Sequence, residues 1–211
     1  MKITDDVVIT QDNRAQMAEL VEVEGDLCIE VEGLTLPFLQ FVSGNLTIDA
    51  ENVSLPGLSL VGADVEINAD GFKAERLYII AKGLSVYQGL PELPTLESIS
   101  ESLEIRVAGV VLPALTTVQV KVWLDMDDIQ LPELEIVGAS IHIAGDNASL
   151  PKLNRVEGSL IVEGDNAQLP ALQYILGSLS LDVPLELPKL AKVKNGVYSN
   201  LELLKAPLLE A

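Results

Sequence analysis

The sequence predicts an all-β fold, a right-handed parallel β-solenoid of about ten 19-residue coils. The first observation is a Leu-Pro pair that recurs at steps of nineteen residues along most of the chain. The second is a leucine three residues after that pair begins, followed three residues later by Val or Ile. The third is a short stretch in which buried apolar residues alternate with outward-facing residues, and this period of two is typical of a β-strand. Crossovers between parallel strands are right-handed in nearly all proteins, and this gives the predicted hand.

The repeated unit reads LPxLxxVxGxLxIxGDNAx, and it is most regular over residues 131–168. One leucine position is filled in every unit, and we predict that it points into the core. These leucines are Leu20, Leu39, Leu58, Leu77, Leu96, Leu115, Leu134, Leu153, Leu172 and Leu190. β-Branched residues dominate the strand positions and prolines interrupt most units, so we expect few or no α-helices.

A tight corner is predicted after each strand, at a residue type that readily accepts a positive φ. These corner residues are Gly33, Asn52, Gly71, Gly109, Asp128, Asn147 and Asn166. The unit over 74–92 departs from the pattern, because Gly83, Tyr87, Gly89 and Pro91 stand at strand and corner positions. We therefore expect a loop or bulge there.

The uninterrupted repeat predicts a single solenoid domain over residues 1–211. Residues 1–16 align with a repeat after a slip of one residue, and we expect them to form an N-terminal capping half-coil. Residues 17–205 hold the repeats, and residues 206–211 begin a truncated C-terminal coil. An end coil has an unpaired edge, so a homodimer through such a coil is one possibility.

The repeated string resembles the repeats of leucine-rich-repeat proteins, and it is closest to those of receptor L-domains. The resemblance covers about residues 17–205. It implies a recognition scaffold with parallel strands on one face, without implying a receptor. Two features depart from that family: the Asn stands one place later than in the ordinary repeat, and the cysteine-bonded caps of extracellular L-domains are missing.

Charge gives the strongest indication about partners. Asp and Glu total 32 against 13 Lys and Arg, for a net charge of -19. Nucleic acid binding needs a basic surface, so we expect no nucleic-acid partner. Residues 1–72 contain 14 acids but only Lys2 and Arg14 as bases, which would steer a basic protein toward this half. The alternative is that the acids only keep a β-rich protein soluble.

The outward strand positions predict a partner-binding surface. Trp123, His142 and Ile161 occupy the same outward position in successive coils, and Trp123 and His142 are the only Trp and His of the chain. The flanking outward positions add three more candidates for this surface: Arg106, Tyr87 and Asp125. Trp, Tyr and Arg dominate binding hot spots. The alternative is that Trp123 packs on its cross-strand neighbours.

A second column, Phe41, Leu60 and Ile79, is apolar in three consecutive coils. If it faces solvent, it forms an apolar strip suited to a partner or to a second copy of the chain. If the coil turns inward there, it belongs to the core, and this is what we expect.

The sequence favours a non-enzymatic role. Asp125, Asp127 and Asp128 beside Arg106, Lys121 and His142 superficially resemble the carboxylate clusters of β-helix enzymes that act on polysaccharides, but such enzymes need a groove. No nucleotide or zinc motif is present, and we expect no cofactor and no bound metal. Acidic residues just before the corners also align in successive coils. We expect them to serve the turns and solvation, with a bound cation as the lesser alternative. They are Glu32, Glu51 and Asp70, and then Asp127, Asp146 and Asp165.

We therefore expect an acidic protein-binding scaffold, with two alternatives: an inhibitor or immunity-type protein that masks a basic partner, or a structural rod. The chain has no apolar run of transmembrane length, no signal-peptide pattern and a lone Cys28. These features predict a cytoplasmic protein that does not bind membranes.

Overall fold

The computed structural model describes residues 1–199 and 204–209. Over these residues the protein is all-β, a parallel β-solenoid of about eleven turns, and the one helix is the 3₁₀ turn Arg14–Met17. The fold class predicted from the repeat is confirmed. By compactness the chain divides into two units, Met1–Ser100 and Glu101–Ala211. No helix in the described part has the length and apolar character needed to span a bilayer.

Each coil contributes two short strands. In the first unit the strands are β1 (Lys2–Ile3), β2 (Val7–Ile9), β3 (Glu22–Val23), β4 (Leu27–Ile29), β5 (Phe41–Val42), β6 (Leu46–Ile48), β7 (Leu60–Val61), β8 (Val65–Asn68), β9 (Ile79–Ile80), β10 (Leu84–Gln88) and β11 (Ser98–Ile99). In the second unit they are β12 (Leu103–Ile105), β13 (Thr117–Val118), β14 (Val122–Leu124), β15 (Ile136–Val137), β16 (Ile141–Ile143), β17 (Arg155–Val156), β18 (Leu160–Val162), β19 (Tyr174–Ile175), β20 (Leu179–Leu181), β21 (Leu185–Glu186), β22 (Lys192–Val193), β23 (Val197–Tyr198) and β24 (Leu204–Lys205).

In each unit these strands form two parallel sheets. The first unit pairs β1, β3, β5, β7, β9 and β11 in one sheet and β2, β4, β6, β8 and β10 in the other. The second unit pairs β13, β15, β17, β19 and β22 in one sheet and β12, β14, β16, β18, β20 and β23 in the other, with β21 and β24 as a separate pair. Single-residue bridges such as Thr35 to Ser54 and Gln130 to Ser149 mark a third side of the coil.

The core of each unit is a stack of the repeated apolar positions. All ten leucines of the invariant position are fully buried, from Leu20 to Leu190. The Val or Ile three residues later is also fully buried in nine of ten coils, from Val23 to Ile175. Only one aromatic ring, that of Phe72, is among the fully buried side chains of the described residues. Aliphatic stacking between neighbouring coils therefore supplies the apolar burial that stabilises the fold.

The corner prediction is confirmed at all seven residues. Non-glycine residues with φ near +60° stand at Asn52, Asp128, Asn147 and Asn166, and glycines with positive φ stand at Gly33, Gly71 and Gly109. Side-chain amides also connect the corners, because Nδ2 of Asn147 donates to Oδ1 of Asp128 at 3.1 Å and Nδ2 of Asn166 donates to Oδ1 of Asn147 at 3.3 Å. The corner residues thus turn the chain and join successive coils.

The two irregular segments behave differently from the regular coils. A register shift between Val86 and Gln88 confirms the predicted bulge, and Gly89 after it has a φ of +76°. Residues 1–16 supply both β1 and β2, which pair with the next coil at an offset of twenty residues, as the one-residue slip predicted. This first coil raises the count to eleven, against about ten expected. Its capping role stays a prediction, and residues 210 and 211 of the expected C-terminal coil lie outside the described residues.

The column formed by Phe41, Leu60 and Ile79 is not core, and the expectation was wrong on this point. The three side chains are partly exposed and pair in register across β5, β7 and β9. In each of these two-residue strands the following residue, such as Val42, points inward and is buried. Because neighbouring strand residues point to opposite faces, the first residue must point outward. The three residues therefore form an outward apolar strip.

We predict that Leu115→Ala lowers the free energy of unfolding by about 2–5 kcal/mol, the range for a buried leucine whose cavity cannot collapse. Leu115 is fully buried, whereas Val111, four residues earlier in the chain, is 41% exposed. Val111→Ala is therefore the matched control, with an expected change within about 0.5 kcal/mol. Urea denaturation followed by circular dichroism measures both, and equal losses for the two variants would contradict the assignment of Leu115 to the core.

We also predict that Asn147→Ala destabilises the protein by about 1–2 kcal/mol, because alanine at a φ of +59° carries the steric cost of left-handed backbone. Asn147→Gly should cost less, since glycine accepts this φ freely. Both variants remove the side-chain hydrogen bond from Asn147 to Asp128, so the difference between their stabilities isolates the cost of the left-handed backbone conformation. Comparison of the urea midpoints tests it, and an alanine variant as stable as the glycine variant would contradict it.

Candidate functional site

The outward column of the second unit is a ladder of directly paired residues. Glu104 on β12 pairs with Trp123 on β14, which pairs with His142 on β16, which pairs with Ile161 on β18. The ladder continues through Ser180 and Tyr198. Adjacent strands lie about 4.8 Å apart, so these side chains are near neighbours on one sheet face. The nineteen-residue spacing thus brings Trp123, His142 and Ile161 together as predicted from the sequence.

Trp123 is held in place by two contacts and remains open to solvent. Its ring packs edge-on against that of His142, with centroids 4.9 Å apart and an interplanar angle of 78°. Its Nε1 atom donates a hydrogen bond to Oδ1 of Asp125. The residue is nevertheless 46% exposed, and Ile161, which lies two strands away beyond His142, is 36% exposed. An oriented aromatic ring and an aliphatic side chain therefore face solvent on the same sheet face, one on each side of His142.

His142 has an unpartnered nitrogen. Its Nε2 atom lies 3.2 Å from Oε2 of Glu163, yet the alignment is not that of a hydrogen bond, so this buried atom has no hydrogen-bond partner. The Glu163 side chain itself is 47% exposed. Glu163 thus places a partly exposed carboxylate beside the ring pair.

Arg106 lies at the edge of this surface. Its guanidinium contacts Oε1 of Glu104 at 2.5 Å, and its Nε atom is 3.9 Å from Oδ2 of Asp125. Asp125 therefore contacts both Trp123 and Arg106. Five of the six predicted residues, Trp123, His142, Ile161, Arg106 and Asp125, lie together in the second unit, and we call them the Trp123 patch. The sixth, Tyr87, is on β10 of the first unit and is 37% exposed.

A shallow depression of about 310 Å³ lies on the same sheet face. Its lining consists of Lys121, Val122, Trp123, Ser140, Ile141, His142, Ile161 and Glu163. From the sequence, Lys121 was expected only beside the enzyme-like carboxylates, and Glu163 was not selected. Glu163 could have been found, because it occupies the outward position two residues after Ile161, as Asp125 does after Trp123. Lys121 stands just before β14 and two residues before Trp123, so the same offset would have placed it beside this surface.

The carboxylates of the enzyme-like cluster are engaged by the chain itself. Oδ1 of Asp127 accepts the backbone N–H of Asp146 at 2.8 Å, and Oδ1 of Asp146 accepts that of Asp165 at 2.7 Å. Asp128 accepts the Asn147 amide, and Asp125 accepts the Trp123 indole. These acids therefore join neighbouring coils or orient a ring. No group of three or more His, Cys, Asp or Glu among the described residues has the geometry to hold a metal ion.

Cys28 lies in an acidic setting on the outward column of the first unit. Its Sγ atom is 3.7 Å from Oδ2 of Asp49 and 4.0 Å from Oε1 of Glu30. Partial burial, together with the charges of Asp49 and Glu30, raises the pKa of the Cys28 thiol to about 11. The thiolate is the nucleophilic form, so this cysteine is a poor nucleophile at neutral pH.

Comparisons with known protein families, with curated proteins and with solved structures find no match to the chain.

We predict that iodoacetamide alkylates Cys28 slowly in the folded protein at pH 8. A pKa near 11 leaves about 100-fold less thiolate than a pKa near 9. The rate should rise as the pH rises toward 11, and the same protein unfolded in urea should react as an ordinary thiol does. Because the unfolded thiol ionises first, folding stability should fall between about pH 9 and 11. Equal rates for the folded and unfolded protein at pH 8, measured by mass spectrometry, would contradict this prediction.

Proposed function

We propose that this protein is a non-enzymatic, leucine-rich-repeat-like scaffold that binds a basic protein through the Trp123 patch. The observation that carries the proposal is Trp123 itself, oriented by His142 and Asp125 yet 46% exposed. A side chain on a short paired strand has little conformational freedom left to lose on binding, so its apolar surface contributes more fully to affinity.

The arrangement of polar groups around the patch supports a basic partner. Apolar surface from Trp123 and Ile161 lies at the centre. At the edge the carboxylates of Glu104, Asp125 and Glu163 outnumber the cations of Arg106 and Lys121, although Arg106 already pairs with Glu104. Interfaces are commonly built from an apolar centre with a polar rim. The net charge of -19 adds a long-range field that accelerates association with a cationic protein.

Several features support a binding role over catalysis. The carboxylates of Asp125, Asp127 and Asp128 are each engaged by donors of the chain. A general acid or base must be free to exchange a proton with substrate. The thiol of Cys28 is held in its protonated form at neutral pH. A cytoplasmic location belongs to the same proposal, supported by this single unpaired cysteine.

The experiment is affinity capture from a lysate of the source organism with immobilised wild-type protein, Trp123→Ala and Tyr174→Ala. Tyr174 is an outward aromatic residue on the other sheet of the same unit, and its exposure of 40% matches that of Trp123. A specific partner is one retained by the wild type and by Tyr174→Ala but lost with Trp123→Ala.

For a purified partner, we predict that Trp123→Ala weakens binding by at least ~2 kcal/mol, as hot-spot aromatics do. Its effect on the free energy of unfolding should stay below about 1 kcal/mol, because the ring points outward. The association rate should fall as salt is raised. Calorimetric titration and thermal melts measure these quantities. A stability loss with affinity retained would make Trp123 a packing residue and would redirect the search to the strip of Phe41, Leu60 and Ile79.

A further inference from the structure

We infer that the depression beside Trp123 receives a cationic side chain, Arg or Lys, of the partner, with the cation between the Trp123 ring and Glu163. This inference rests on the proposed function and specifies what the partner presents. At about 310 Å³ the depression is at the small end of the range for ligand pockets, about 300–1,000 Å³. It is therefore suited to a single side chain.

The electrostatic reason lies in the ring and the acids near it. The face of an indole ring attracts cations through its quadrupole, and Trp is the strongest aromatic partner for this contact. Trp123 Nε1 donates to Asp125, which brings a carboxylate to the edge of the ring. Glu163 lies across the depression beside His142, with 47% of its side chain exposed. A guanidinium or ammonium group here would contact both an aromatic ring and a carboxylate.

Lys121 and Glu163 make the two ends of the depression opposite in charge. Lys121 precedes β14, whereas Glu163 follows β18, so the two opposite charges lie toward opposite ends of the strands. A cation is repelled from the Lys121 end and attracted to the Glu163 end, while an anion would be placed the other way round. Variants of the two residues should therefore have opposite effects, and the signs identify the charge of the occupant.

The test uses Trp123, the only tryptophan of the chain, as a fluorescent reporter. Nα-acetyl-arginine amide is titrated into the protein at neutral pH and low salt, against the isosteric but neutral citrulline derivative. We expect the arginine derivative to change Trp123 emission with saturation and the citrulline derivative to bind at least about fivefold more weakly.

We expect Glu163→Gln to weaken arginine binding by about fivefold and Lys121→Gln to strengthen it by about twofold. Glu157→Gln and Lys152→Gln are the matched controls, because they make the same changes in charge at residues that do not line the depression. Neither control should change the affinity by more than the general effect of net charge. Thermal melts establish that all four variants are folded.

Nα-acetyl-glutamate amide is titrated as an anionic comparison. Three outcomes would overturn the inference: equal binding of the citrulline derivative, no effect of Glu163→Gln beyond that of Glu157→Gln, or reversed signs of the two variants with preference for the glutamate derivative. Protein capture that depends on Trp123 without binding of the arginine derivative would leave the proposed function standing and refute this inference alone. Binding of the arginine derivative as expected, with no capture that depends on Trp123, would refute the proposed function and leave the cation site established.

Discussion

The backbone hydrogen bonds between successive coils, repeated at an offset of nineteen residues, are the constraint on which the other features of this protein depend. They pair Val122 with Ile141 inside each turn and Trp123 with His142 outside it. A slip of one residue would place every buried strand residue on the outer face. The buried leucines penalise such a slip, since each would lose its stacking partner. The same register that builds the core therefore also assembles the Trp123 patch.

Part of the acidic composition serves this register. In the first unit the side chains of Asp26, Asn45 and Asp64 each accept a backbone N–H of the next coil, at 2.7 to 3.1 Å. In the second unit serine hydroxyls fill the corresponding place, with Ser140 and Ser159 as acceptors at 3.1 Å. An amide at a turn needs an acceptor when no strand supplies one. These turn carboxylates are thus engaged by the backbone, whereas the side chain of Glu163 is 47% exposed.

The sequence predicts most of the fold because one position recurs in every coil. The buried leucines and the positive-φ corners follow from residue type and spacing alone. The orientation of Phe41 did not follow, because β5 has only two residues and so short a strand shows no alternation to read. Within the site, the ladder of Trp123 and His142 was predictable from register. Lys121 was expected beside the carboxylate cluster instead, because it stands before β14 and the alternation of a three-residue strand marks only the residues within it.

Any binding role depends on positions that differ between coils, because the repeated positions form the core and the corners. Outward strand residues are nearly free of packing constraints, so most coils place small or charged residues there, such as Thr47 and Glu66. A tryptophan at this position exposes apolar surface to water, which is unfavourable for the isolated protein. His142 contacts the Trp123 ring edge-on, and nearly half of the residue stays open. In the proposed complex, a partner would bury this remaining surface.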